Sequence, residues 1–232
     1  MKNPLRVLIA LTTLLASLGA SLHAQAQDVK PGDKVAGEKK AAMCIGCHGI
    51  PEYRASFPEI YKVPMIAGQN AKYIVSALVA YKKGDRRHPT MRSIATTLKD
   101  QDMADLAAFY EAEAAGSTSG SMSSSTAVAA AMPAPSAEVA ALLKKGNCIS
   151  CHGDNFSKPI DPSYPKLAGQ HADYLFFALK AYQTEKNPQV GRNNAIMVGM
   201  AKPYSQAELK VLTAYLGSLP SDLKTVAQSR FR

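Results

Sequence analysis

An all-α chain made of two tandem copies of one small domain is what these 232 residues specify. Apolar residues recur at helical spacing, as in the stripe Leu209, Leu212, Leu216 and Leu219, and no stretch alternates as a half-buried strand would. The chain also repeats itself. "VPMIAGQNAKYIVSALVAY" (63–81) matches "YPKLAGQHADYLFFALKAY" (164–182), and "MRSIATTLKDQDMADLAAFY" (91–110) matches "MVGMAKPYSQAELKVLTAYL" (197–216). Between the copies lies "GSTSGSMSSSTAVAAAMPAPS" (116–136), uncharged and too poor in large apolar residues to build a core, which reads as a linker. The expected domains are therefore 27–115 and 137–232.

The elements follow in order. Residues 1–26 read as a secretory leader: Lys2 and Arg6 form the positive start, Val7 to Leu22 the apolar run, and Ala24-Gln25-Ala26 the cleavage site. The apolar run is short for a retained membrane anchor, and serines and threonines interrupt it. Cleavage near Ala26 exports the mature chain, here taken as periplasmic. In the first domain, Asp100 is placed to cap a helix that buries Met103, Leu106, Ala107 and Tyr110. In the second, Ser205 and Glu208 form a capping box ahead of the leucine stripe. The segments after each A-G-Q carry Ile74, Ala77, Leu78 and Tyr81, and Leu175, Ala178, Leu179 and Tyr182, on one helical face. Short helices lead into each cysteine cluster, and Met43, Met65 and Met103 read as packing residues.

All four cysteines fall in two copies of one pattern, C-x-x-C-H: Cys44, Cys47 and His48, then Cys148, Cys151 and His152. Thiols three positions apart share a face of a helical turn and reach the two vinyl groups on one haem edge. The adjoining histidine then falls beneath the iron as an axial ligand. A thioredoxin-like pair gives no reason for that histidine. A zinc site would need the two pairs about 15–20 residues apart, not a domain apart. The pattern thus assigns two covalently bound haem c groups. Domains of about ninety residues have little apolar interior, and with no tryptophan and 7% aromatic residues a buried macrocycle would complete the core.

The second axial position decides between a closed electron carrier and an open iron that does chemistry. Met91, in "RRHPTMRS", and Met197, in "RNNAIMVGM", stand at matching places ahead of the last helix of each copy. His88 is an alternative to Met91, and Met200, which aligns with Ile94, to Met197. Pro64 and Pro165 offer carbonyls that would orient the ligand histidines, or simply begin the next helix. Tyr73, Tyr81, Tyr174 and Tyr182 fit either propionate contacts or core packing, and His171 a surface place early in a helix.

The formal charge of +9 falls by two with the leader, and haem propionates offset much of the rest. Dispersed basic residues and few aromatics argue against nucleic acid. "YKKGDRRHPTMR" (81–92) concentrates Lys82, Lys83, Arg86, Arg87 and Arg92 beside the first methionine, which reads either as a steering patch for an acidic partner or as a solvated loop.

With two C-x-x-C-H segments, each followed by P-x-x-A-G-Q, a tyrosine-bearing helix and a methionine, the chain resembles the dihaem cytochrome c4 family over nearly all its mature length. The resemblance implies two tandem class I cytochrome c domains with His/Met haems: His48 with Met91, His152 with Met197, and thioethers from Cys44, Cys47, Cys148 and Cys151. It implies that Pro64 and Pro165 accept from the ligand histidines. It also implies an exported single-electron carrier; the expected partners are redox proteins, a membrane-bound oxidase, a reductase or a quinol–cytochrome c oxidoreductase, met by a soluble shuttle or through peripheral membrane association. The competing expectation is a dihaem subunit of an oxidoreductase complex such as a flavocytochrome c sulfide dehydrogenase. A haem enzyme, a dihaem peroxidase or a thiosulfate dehydrogenase, would need an open or unusually ligated iron. "GIPEYRASFPEIYKVPMIAGQ" (49–69) departs from the family's glycine-rich loop.

Overall fold

The computed structural model describes residues 30–113 and 132–226; the expected leader and most of the expected linker lie outside the described residues. The first half runs α1 (Lys34–Lys40), α2 (Ala42–His48), β1 (Arg54–Ala55), β2 (Tyr61–Lys62), α3 (Ala71–Lys83), β3 (Arg86–Arg87), α4 (Pro89–Thr97) and α5 (Asp100–Ala112). The second half runs α6 (Ala137–Lys145), α7 (Ile149–His152), α8 (Ala172–Gln183), β4 (Gly191–Arg192), α9 (Ala195–Ala201) and α10 (Gln206–Ser218). The all-α class holds; the strands are two-residue antiparallel pairings, β1 with β2 and β3 with β4. No helix among the described residues is long and apolar enough to cross a membrane.

Local chemistry sets the helix starts. Asp33 accepts from the Ala36 N–H at 2.8 Å, and Ser136 from the Val139 N–H at 3.2 Å. Ser205 and Glu208 form the expected capping box of α10. Helix α5 begins one residue earlier than the sequence suggests: Lys99 is its N-cap, and the Asp102 carboxylate accepts from the Lys99 N–H at 3.0 Å. Asp100 therefore opens the first turn instead of capping it.

Both halves have an apolar core, but their terminal helices meet differently. In the first, α1 lies so close to α5 that a side chain on Gly37 would collide with the Asp105 carbonyl. Around that approach sits a polar network: Asp105, 3% exposed, accepts from the Asp33 N–H at 2.9 Å, Gln101 at 2.9 Å and Lys40 at 2.6 Å. In the second core Val139, Leu142 and Leu143 pack on Leu209, Leu212 and Leu216. The expected buried faces of α5 and α10 are as read, including Met103. Met43 does not pack into the core; it is 63% exposed and borders the cavity that the cysteines line.

The repeated A-G-Q turn explains itself. Gly68 and Gly169 have φ of +85° and +65°, a left-handed conformation that favours glycine. Their N–H groups donate to the last long helix of their own half, to Tyr110 O and Leu216 O, both at 2.8 Å. Each glutamine then turns outward to the other half. Gln170 Nε2 donates to Met65 O at 2.8 Å while its Oε1 accepts from the Met65 N–H at 3.0 Å. Gln69 does the same to Lys166, at 3.0 and 2.9 Å. Both glutamines are 4% exposed, so these are buried bonds in which a missing partner costs about 1–3 kcal/mol.

Other contacts join the halves. Strand β3 pairs with β4, placing Arg86 opposite Arg192. Tyr61 of the first half stacks on Phe177 of the second, ring centres 4.3 Å apart. Lys224 returns from the end of the second half to donate its N–H to Ala67 O at 3.0 Å.

Candidate functional site

The two C-x-x-C-H turns open onto one cavity of about 960 Å³, whose walls carry all four cysteines, His48, His152, Met91 and Met197. Helix α2 presents Cys44 and, one turn on, Cys47 and His48, and Cys148 stands at the N-cap position of α7, which carries Cys151 and His152. No cysteine is in a disulfide, and burial raises the Cys44 and Cys148 thiols above their ordinary range.

Both histidines are oriented from behind. His48 Nδ1 lies 2.8 Å from Pro64 O, and His152 Nδ1 lies 3.1 Å from Pro165 O. A carbonyl only accepts, so each Nδ1 carries the proton and each Nε2 keeps its lone pair toward the cavity. Burial lowers both imidazoles' pKa, favouring the neutral form that binds a metal.

On the same cavity's wall, α4 and α9 place the two methionines in one register. His88 caps α4, its Nδ1 accepting from the Met91 N–H at 3.4 Å; Asn194 caps α9, its Oδ1 accepting from the Met197 N–H at 3.0 Å. His88 therefore has a counterpart in the second half, the capping Asn194. Comparing "HPTM" with "NAIM" shows the shared cap in the sequence itself. Met91 lies in the first turn of α4. Met200 is 42% exposed at the cavity rim.

The arginines overturn one expectation. Arg86 is not a surface cation: its guanidinium donates to Tyr73 Oη at 3.0 Å and lies over the Tyr73 and Tyr81 rings. Arg192, which the sequence did not single out as buried, repeats this on Tyr174 and Tyr182, also at 3.0 Å. Arg87 lies half-buried along β4, donating to Val190 O at 3.4 Å, and Lys82 Nζ is tied to Leu98 O at 2.6 Å. The supposed patch thus reduces to exposed Lys83 and Arg92. Although burial opposes it, the two guanidiniums hold the Tyr73 phenol below its usual pKa, while burial pushes Tyr174 up to about 12. His171, expected at the surface, is the half-buried N-cap of α8.

Neither Arg86 nor Arg192 has a carboxylate in ion-pair range among the described residues. Two cations at a cavity wall, neither paired with a carboxylate, call for acidic groups in the cavity. Paired thiols, an imidazole with its lone pair inward and these cations fit a large planar macrocycle that carries propionates and a central metal. The residues present fit haem, twice.

The comparisons agree with that geometry. The cytochrome c family model matches residues 29–111 and 136–220. Cytochrome c4 of Azotobacter vinelandii is 30% identical over 227 residues, covering 90% of this chain and 98% of that protein. The thiosulfate dehydrogenase electron acceptor of Stutzerimonas stutzeri (strain A1501) is 30% identical over 213 residues, covering 88% and 92%. The crystal structure of reduced recombinant cytochrome c4 from Pseudomonas stutzeri superposes with a TM-score of 0.56 at 25% identity, covering 82% of this chain and all of that one. Fold and site together define a dihaem c-type cytochrome, an electron-transfer protein with haem c bound covalently at Cys44/Cys47 and at Cys148/Cys151. The chain belongs to the cytochrome c4 family.

Proposed function

We propose that the chain is an exported single-electron shuttle in which His48 and Met91 close one iron and His152 and Met197 the other. The observation that carries this is the doubled register: in each half a proline-pinned histidine and a methionine three residues past a helix cap line the same cavity. Each bound haem supplies one reversible electron. The chain's residues do the rest. The cysteines fix each ring edge, and the histidines present Nε2. The cavity's apolar wall excludes water, which favours the ferrous form. Arg86 and Arg192 are placed to offset the propionates where the halves meet. The secretory leader read in the sequence of residues 1–26 supports a periplasmic location, and the partners would be membrane-bound oxidases, reductases or a quinol–cytochrome c oxidoreductase.

The deciding measurement is the ferric spectrum with haem quantitation: two low-spin haems per chain and the near-infrared charge-transfer band of methionine-ligated iron. One haem per chain, or no such band, overturns the assignment.

A second reading has its own support. Similarity to a thiosulfate dehydrogenase electron acceptor over most of the chain favours service to a sulfur-oxidising enzyme. A flavoprotein partner as in a sulfide dehydrogenase is the same class of role. Reduction of the purified protein by a thiosulfate dehydrogenase, at a rate exceeding that by a quinol-oxidising complex, would select it.

A further inference from the structure

The interface glutamines sit one peptide away from the candidate iron ligands, and on the wrong side of the molecule. The peptide joining Pro64 to Met65 has two functional ends. Its carbonyl accepts from His48 Nδ1 at 2.8 Å, and its N–H donates to Gln170 Oε1, from the other half, at 3.0 Å. The peptide joining Pro165 to Lys166 repeats this, with His152 at 3.1 Å and Gln69 of the first half at 2.9 Å. The glutamine oxygens cannot turn away. Gln170 Oε1 also accepts from the His171 N–H, and Gln69 Oε1 from the Asn70 N–H, both at 3.0 Å.

A peptide whose N–H is engaged is polarised, and its carbonyl becomes a stronger acceptor. A stronger acceptor draws the Nδ1 proton away from the imidazole and raises its basicity toward a metal on Nε2. A more basic ligand favours the ferric over the ferrous iron. We infer that Gln69 and Gln170 are positioning residues that tune the reduction potentials crosswise, each half lowering the potential of the haem in the other. This rests on His48 and His152 being axial ligands, as proposed above. It makes contact between the halves an electronic variable: loosening the interface raises both potentials, and re-forming it lowers them.

The arrangement distinguishes tuning from mere adhesion. A purely structural glutamine affects its own half or both halves alike, whereas the hydrogen-bond chain crosses over. The experiment uses the full dihaem protein with Gln170→Met and, separately, Gln69→Met, and reads reduction potentials assigned to each haem by its methyl resonances. Gln170→Met is expected to raise the potential of the haem held by Cys44 and Cys47 and leave the other within error. Gln69→Met is expected to do the reverse. In the reduced proteins the Nδ1 proton resonance of the affected histidine moves upfield as its hydrogen bond weakens. Gln170→Glu keeps an acceptor for the Met65 N–H, so it must not raise the first potential; it serves as the test if the methionine variant folds poorly. Equal shifts at both haems, a shift confined to the mutated half, or no shift sinks the inference. Failure of the ligand assignment is seen separately, as a missing near-infrared band in the unsubstituted protein.

Discussion

The two halves hold the same site in different scaffolds. In both, a left-handed glycine anchors the A-G-Q turn, a proline carbonyl pins the histidine, a capped helix presents the methionine and an arginine lies across two tyrosines. Away from the site they diverge. The first half joins its terminal helices through Gly37 and the buried Asp105 network; the second uses apolar side chains and the Tyr204 hydroxyl, which donates to Leu142 O at 2.7 Å. The loops after the cysteines differ too. The first forms the β1–β2 hairpin that sends Tyr61 onto Phe177, while the second folds around Phe156, 1% exposed. What the two sites share is thus a short set of backbone placements, kept although the terminal helices meet differently in the two halves.

The largest effect expected is on folding. Replacing Cys148 and Cys151 with serine should leave one covalent haem per chain and abolish most helix in the second half, because its cavity walls then have nothing to pack against. Circular dichroism with undiminished helix would show that the leucine core of the second half stands without its cofactor. Next comes ligation: Met91→Ala and Met197→Ala should each halve the near-infrared band and open one iron to carbon monoxide. Met200→Ala should leave the band intact, and a halved band there would move the ligand to the rim.

The Asp105 network sharpens the contrast in acid. Burial opposes its charge, but the Asp33 N–H, Lys40 and Gln101 hold its pKa below the ordinary carboxylate value. A depressed folded pKa means stability that is present above about pH 3.9 and is lost as pH falls further. Asp105→Asn should therefore cost the first half about 2 kcal/mol at neutral pH and flatten its acid transition. The second half should melt unchanged in the same calorimetric scan. Equal destabilisation of both halves would mean they unfold as one unit. The smallest effect concerns docking: Lys83→Gln with Arg92→Gln should lower the association rate with an acidic partner a fewfold at low salt and by little above about 0.1 M. A rate that ignores the change would leave these cations no role in encounter.

Periodicity and repetition carried the fold, and the thiol–histidine spacing carried the site, because both are local patterns. What escaped the sequence was long-range. Nothing in "GDRRHP" distinguishes a buried Arg86 from a solvated one; the distinction comes from Tyr73 and Tyr81 on α3, which supply the rings it lies on. The repeated glutamines were visible as repeats, but their role depends on which half they face. The short pairing of β3 with β4 joins segments about a hundred positions apart and leaves no periodic trace in two residues. His88 illustrates the reverse case. Its capping role is legible three residues ahead of Met91, where Asn194 stands ahead of Met197, although histidine is equally a metal-ligand type.

The reciprocal glutamine exchange makes the two halves self-complementary, as the partners of a two-fold homodimer are. Each offers a main-chain donor and acceptor and receives a side-chain amide in return. Covalent connection of two such halves sets their effective concentration for one another. Severed between the two described stretches, the halves should remain together as a noncovalent pair that parts on dilution. A first half alone, deprived of Gln170, still carries its own Gln69 to offer to a second copy of itself.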